Sequence, residues 1–216
     1  MEIETRNTNV TDNNLVTVSG EIISKGEFNH EVYGEKFYLY YLSVQRLSDS
    51  SDTIPLIVSE RLVDLENLQI GTKVSVVGQF RSYNRHEDNK NRLILSVFVR
   101  EMYWQEEGTH DDNKIELSGF VCKAPIYRKT PLGREICDLL IAVNRPYGKS
   151  DYIPCICWGR NARFANSLKV GDEITTYGRI QSRTYLKKID GNPDNTEERT
   201  AYEVSVSKIF VVSESE

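Results

Sequence analysis

Segments in which apolar and polar residues alternate, or in which β-branched residues crowd together, run almost the whole length of this chain. In the second half they cover roughly residues 115–123, 134–144, 152–158, 173–185 and 200–212. Each has strand length and each is bounded by turn-forming residues. Between the third and fourth lies GRNARFANSLKVG, where Ala162, Ala165 and Leu168 recur at helical spacing and Gly171 supplies a stop signal. The first half offers ERLVDLENLQIG at the same point. Three strands, one short helix and two more strands is the order of a five-stranded OB barrel, in which the helix plugs one end. The expected fold is therefore all-β, with two tandem barrels.

The duplication is legible residue by residue. VTVSGEIISK from Val16 resembles IELSGFVCKA from Ile115, and the segment ending at Arg46 resembles the one ending at Arg145. IPLIV at Ile54 resembles IPCIC at Ile153, all at an offset of 99, and GTKVSVVGQF at Gly71 resembles GDEITTYGRI at Gly171 at an offset of 100. Collinear matches at a nearly fixed offset indicate one domain copied once. Residues 1–14 are polar and aperiodic and read as a disordered arm. The first OB domain is placed at 15–104, a charged linker at 105–113, the second OB domain at 114–212 and a short acidic tail at 213–216.

Charge separates the copies. The net charge of −5 argues at first against a polyanionic partner, but residues 1–113 hold 11 Lys/Arg and 19 Asp/Glu, while 114–212 hold 16 and 11. Only the second copy is basic. The apolar runs fall short of the ~18 residues a membrane span needs, and the N-terminus lacks signal-peptide character, so no membrane partner and a cytoplasmic location are expected. All four cysteines (Cys122, Cys137, Cys155 and Cys157) lie in the second copy, and the three histidines lie outside it. Buried free thiols fit that distribution better than a zinc site or disulfides. No phosphate-cradling Gly loop, HExxH or GxSxG is present, so neither catalysis nor a cofactor is expected.

In the third strand of copy two, Tyr152, Pro154, Ile156 and Trp158 share one face, while Ile153, Cys155 and Cys157 share the other and suit the barrel interior. Basic residues surround the rings: Arg145 and Lys149 flank Tyr147, Arg160 follows Trp158, and Arg183, Lys187 and Lys188 bracket Tyr185. Arg128 and Lys129 sit in the first hairpin. Rings for stacking, interleaved with cations for phosphates, are what a sequence-tolerant grip on single strands requires. Structural alternatives stand beside this reading. Trp158 would seal the helix against the barrel, Tyr152 would pack under a loop, Tyr147 would be a solvated turn, and each cation would be an ordinary surface charge.

The stretches LSGFVCKAPIYRKTPLGREICDLLIAVNR, DYIPCICWGRNARFANSLKVGDEITTYGRIQSRTY and AYEVSV resemble the bacterial and phage single-stranded DNA-binding protein family. The matching motifs include Gly119, Gly133, Ala142 to Arg145, Trp158–Gly159 and Gly178 to Ile180. The resemblance implies that Tyr152, Trp158 and Tyr185 stack bases, with Tyr147 near another such position. It also implies single-stranded DNA as the ligand, a role in replication, recombination or repair at the bacterial nucleoid, and a homodimer that would gather four OB folds. The family's acidic, Phe-ended tail has no counterpart in VVSESE, which puts recruitment of replication and repair proteins through it in doubt.

Copy one shares the skeleton without the rings: Thr53 and Ser59 take the places of Tyr152 and Trp158, Ser48 lies near that of Tyr147, and Arg85 replaces Tyr185. Phe37 and Tyr41, beside Arg46 and Arg81, are expected to pack within FYLYYL as a strand buried on both sides. Copy one is thus expected to be mainly a scaffold. Two rival functions remain open: an OB-fold protein-interaction or primosome-accessory module, and an RNA-binding OB protein.

Overall fold

The computed structural model describes residues 13–87, 90–106, 108–188 and 196–212. The acidic tail and residues 1–12 of the expected arm lie outside them. The first barrel comprises β1 (Asn14–Ile22), β2 (Glu27–Val32), β3 (Glu35–Gln45), β4 (Ser51–Ser59), β5 (Lys73–Glu87) and β6 (Lys90–Trp104). The second comprises β7 (Asn113–Val121), β8 (Ile126–Lys129), β9 (Glu135–Asn144), β10 (Ser150–Trp158), helix α1 (Arg160–Ala165), β11 (Glu173–Lys188) and β12 (Thr196–Val211).

Five strands close each barrel by the same circuit. β1 pairs with β3 and β5, β4 joins β3 antiparallel and β6 parallel, and β5 pairs with β6. β7, β9, β10, β12 and β11 repeat this, again with a single parallel contact, between β10 and β12. This is OB topology in both halves. β2 and β8 are extra edge strands, short and polar, that continue β3 and β9 outward. Neither strand buries an apolar face, and both are too short for a reading of periodicity to find. The β2–β3 turn is the two-residue pair Tyr33–Gly34, both at positive φ, as a type I′ hairpin needs.

Glycine and proline mark the points where closure is tight. A Cβ on Gly119 would stand 2.4 Å from the carbonyl oxygen of Ala142, and one on Gly178 would stand 2.2 Å from that of Ser205. Gly20 and Gly78 meet the same limit in the first barrel. Pro154 and Pro55 each precede the first residue of the parallel pairing, Cys155 and Leu56, so their missing N–H groups fall outside it.

The interior of the second barrel is filled by Leu117, Ile141, Ile153, Cys157, Ile174 and Ile180, all fully buried. Ala162 and Ala165 of α1, with Leu168, cap it. Gly159, at φ 54, turns the chain from β10 into the helix. In the first barrel the expected helix shrinks to a 3-10 turn, Leu65–Asn67, capped by the Asp64 carboxylate. Leu68 does the plugging there. Burial pushes the Cys157 thiol up to about 12 and raises that of Cys155 as well, which leaves both inert.

The boundaries expected for the arm and the linker move. Asn14 opens β1, is 3% exposed, and its side-chain amide both donates to and accepts from the Phe80 backbone at 2.8 Å. Asn113 opens β7 and serves Ile180 in the same way, also at 2.8 Å. The Asp111 carboxylate accepts from the backbone N–H of Gln45, while the Asp112 backbone N–H donates to Ser19 Oγ and its carbonyl accepts from Ser19 N–H. These polar residues satisfy hydrogen-bonding groups at a junction rather than water, so composition alone misassigns them.

That junction joins the two barrels into one continuous sheet. β1 and β7 pair antiparallel with Val16 opposite Ile115, which are equivalent residues of the two copies. A pseudo-two-fold axis therefore passes through this pair. On either side of it a buried carboxylate crosses the seam. Asp151, 1% exposed, is gripped by Arg145 and accepts from the backbone N–H of Ser82, and Ser82 Oγ accepts from Tyr152 N–H at 2.7 Å. Asp52, fully buried, is gripped by Arg46 and by Arg179 (2.7 Å) and accepts from Ser182 N–H at 2.8 Å, while Ser182 Oγ accepts from Thr53 N–H at 2.9 Å. Asp151→Asn leaves Arg145 without its counter-charge in a half-buried seam. We expect a loss of about 2–3 kcal/mol, below the ~3–5 kcal/mol of a fully buried pair, read as a shift of the urea midpoint.

Candidate nucleic-acid interface

β10 forms the centre of the site because its two faces have opposite fates. Ile153, Cys155 and Cys157 point into the barrel and are buried, whereas Tyr152 and Trp158 stand outside at 43% and 37% exposure. Between them Pro154 is half-buried and Ile156 is 6% exposed. Six residues of strand separate the two rings, a span of about 20 Å. Trp158 lies opposite Ile136 of β9, and Tyr152 lies opposite Ala142. Large rings left this open on a small barrel are surface in need of a cover.

The basic residues divide into those with open positions and those already engaged. Arg160 opens α1 directly after the Trp158–Gly159 pair and is exposed. Lys149 is exposed beside Tyr147, whose ring is fully exposed at a backbone φ of 66, a strained setting for a residue other than glycine. Lys129 is exposed at the end of β8. Arg128 is held at 2.8 Å by Asp138. Arg145 is bound to Asp151 and donates to the Ser82 carbonyl, so it serves the seam, and phosphate contact is open to it only from the remaining exposed edge.

Tyr185 is placed away from the β10 pair. β11 crosses the seam at Ser182, where it meets Asp52 and Thr53, and runs on beyond it. The returning strand shows where this leads: Glu197 to Thr200 and Tyr202 line a groove together with Leu39, Tyr41, Pro55 and Ile57 of the first barrel. The Arg183 guanidinium lies 5.8 Å from the Tyr185 ring, within cation–π range. Lys187 is exposed on the same strand. The side chain of Lys188 lies outside the described residues. Tyr152, Trp158, Arg160, Lys149 and Tyr147 thus group on the second barrel, while Tyr185, Arg183 and Lys187 reach over the first.

Sequence reasoning missed Asp52, Asp151 and Arg179 as seam residues. An Arg and an Asp six residues apart recur at the 99-residue offset, Arg46 with Asp52 and Arg145 with Asp151, and that repetition is the signal available. In the first barrel Phe37 is buried as expected for packing, but Leu39 and Tyr41 on the same side of β3 are only half-buried, so that side is partly open. Among the described residues no cluster of His, Cys, Asp and Glu is arranged to hold a metal ion, and no helix is long and apolar enough to cross a membrane.

Residues 112–212 match the model of the single-strand binding protein family. The match takes in the whole of the second barrel, from β7 to β12. Its relatives include the single-stranded DNA-binding protein of Halalkalibacterium halodurans, 34% identical over 101 residues that make up 44% of this chain and 55% of the relative. Single-stranded DNA-binding protein A of Bacillus subtilis is 36% identical over 80 residues, 34% of this chain and 46% of that protein. The chain spans about half the length of the curated relatives it matches. The crystal structure of wild-type single-stranded DNA binding protein from Thermus aquaticus superposes with a TM-score of 0.75 at 17% identity, covering 94% of both chains. The likeness in fold therefore extends over both barrels, whereas the likeness in sequence is concentrated in the second.

Proposed function

We propose that this chain binds single-stranded DNA without sequence preference, sheltering strands exposed during replication, recombination or repair in the bacterial cytoplasm. The observation that carries the reading is the exposed pair Tyr152 and Trp158 on the outer face of a strand whose inner face is wholly buried. Bases stack on such rings regardless of identity, and Arg160 and Lys149 stand beside them to meet phosphates. The family of the second barrel supports the same ligand, and the work required is binding rather than catalysis.

Trp158→Ala should weaken binding to dT oligomers by about 1–3 kcal/mol, measured as anisotropy of a labelled strand. Affinity should fall steeply with salt as counter-ions are released, and Arg160→Ala should reduce that slope by about one. Salt-insensitive binding, or affinity unchanged by Trp158→Ala, would move the role to a protein-interaction module. Tighter binding to U than to dT oligomers would make RNA the ligand.

We further propose a homodimer, which would gather four barrels. The outer face of the sheet formed by β12, β11, β7, β1, β5 and β6 leaves Phe210, Tyr177, Leu15 and Tyr103 exposed, an apolar patch of the kind that partners cover. Phe210 and Tyr103 occupy equivalent places at its two ends, opposite Thr175 and Ser75. Light scattering should give twice the chain mass of 24.8 kDa, and a monomeric mass would refute the dimer.

A further inference from the structure

The first barrel lacks rings at the places of Tyr152 and Trp158, but it carries others where the second barrel has none. His30 lies flat on Phe37, with ring centroids 4.7 Å apart and planes within 5°. Phe37 leans on Phe98 at 5.6 Å, and the Arg81 guanidinium covers the Phe98 ring at 3.8 Å. Phe37 and Phe98 correspond to Ile136 and Ser205, from the offset of 99 and the matched parallel pairings of Ile57 with Phe98 and Ile156 with Ser205, and Arg128 faces Ile136 where His30 faces Phe37. The two copies have thus moved their aromatic surfaces to different strands.

His30 and Phe98 border an open groove of about 900 Å³ between the β2–β3 hairpin, β5, β6 and the β9–β10 loop of the second barrel. Leu39 and Ile57 give it an apolar floor, and Phe28 and Tyr83 stand along it at 60% and 45% exposure. Its charged lining is Arg81, Arg85, Arg145 and Lys149 against the single carboxylate of Glu27. The acidic balance of the first copy is therefore a property of its other surfaces. Arg81 is lowered to about 10, first by its burial and then by the neighbouring Arg145 and Arg100, against the opposing pull of Asp151. A bound anion would relieve that crowding.

The groove also adjoins the site on the second barrel. Lys149 and Ser150 line it, and they belong to the loop that presents Tyr147 and to the start of β10, two residues before Tyr152. We infer that the first barrel carries a second single-strand site in this groove, where bases stack against Phe28, His30 and Tyr83 while Arg81 and Lys149 meet phosphates, extending the track of β10 across the seam. The inference rests on the single-stranded DNA reading of the second barrel and adds a surface that the resemblance of the second barrel does not reach.

The test uses the full chain with Phe28→Ala and Tyr83→Ala combined, both exposed positions, and a thermal midpoint within two degrees of wild type as the check on folding. One OB fold covers ~4–16 nucleotides, so dT strands of about 8 and about 35 nucleotides separate one barrel from two. The double variant should bind the short strand as wild type does and the long strand about tenfold or more weakly, whereas Trp158→Ala weakens both. An unchanged long-strand affinity in the double variant, with Trp158→Ala still weakening both, would overturn the groove and leave the first reading standing. Equal losses on both lengths would assign Phe28 and Tyr83 to the site of β10 and also overturn it. No wild-type binding to either strand would remove both readings together. As a measurement independent of variant stability, a long strand carrying 5-iodouracil should photo-crosslink to peptides containing Phe28 or Tyr83. Crosslinks confined to the second barrel would count against the groove.

Discussion

The antiparallel pairing of β1 with β7, centred on Val16 and Ile115, is the contact on which the rest of the molecule depends. It joins two closed barrels without leaving an open edge between them, and its register sets a pseudo-two-fold axis through equivalent residues. The main contacts at the seam then occur twice. Asn14 and Asn113 each serve the backbone of their own barrel, and Asp52 and Asp151 each bind one arginine of their own copy and the backbone of the other, with Arg179 added on Asp52 alone. A buried carboxylate is costly unless every lone pair finds a donor. Here the donors come from both barrels, so the ion pairs are satisfied only when the barrels are docked in this one orientation.

That docking decides where the long hairpins go. β11 is held at Ser182 against the first barrel, and β5 is held at Ser82 against the second. The rings and cations farther out on each hairpin are therefore positioned by the neighbour's surface. Tyr185 and Arg183 accordingly belong to the space above the first barrel, although they follow the second in sequence. The proposed binding surface therefore combines residues carried by both barrels.

The fold was largely legible because its signals are local or periodic. Alternation located the five long strands of each barrel, Ala162, Ala165 and Leu168 marked the plug, and the 99-residue offset exposed the duplication. The β10 face was legible for the same reason, since a period of two separates Tyr152 and Trp158 from Ile153, Cys155 and Cys157. What stayed hidden depends on contacts between distant residues. Arg145 carries the same charge whether it meets phosphate or Asp151, and only the seam distinguishes them. His30, Phe37, Arg81 and Phe98 are spread over 69 positions of sequence, and no spacing rule joins them. In the first barrel the short helix between β4 and β5 is a single 3-10 turn, because packing shortens ERLVDLENLQIG, whose composition is helical, to that length.

The pseudo-two-fold axis has one more consequence. A nucleic-acid strand is polar, with distinct 5′ and 3′ ends, and a dimer of identical barrels presents the same surface to it in either direction. Once the two barrels are covalently joined, each can change alone, and here the rings stand on β10 in one and on β2, β3 and β6 in the other. With the proposed ligand, the two directions across the seam would no longer be equivalent in energy. Duplication within one chain would thereby give each chain a front and a back with respect to the strand, a sense of direction that symmetry denies to a pair of equal halves.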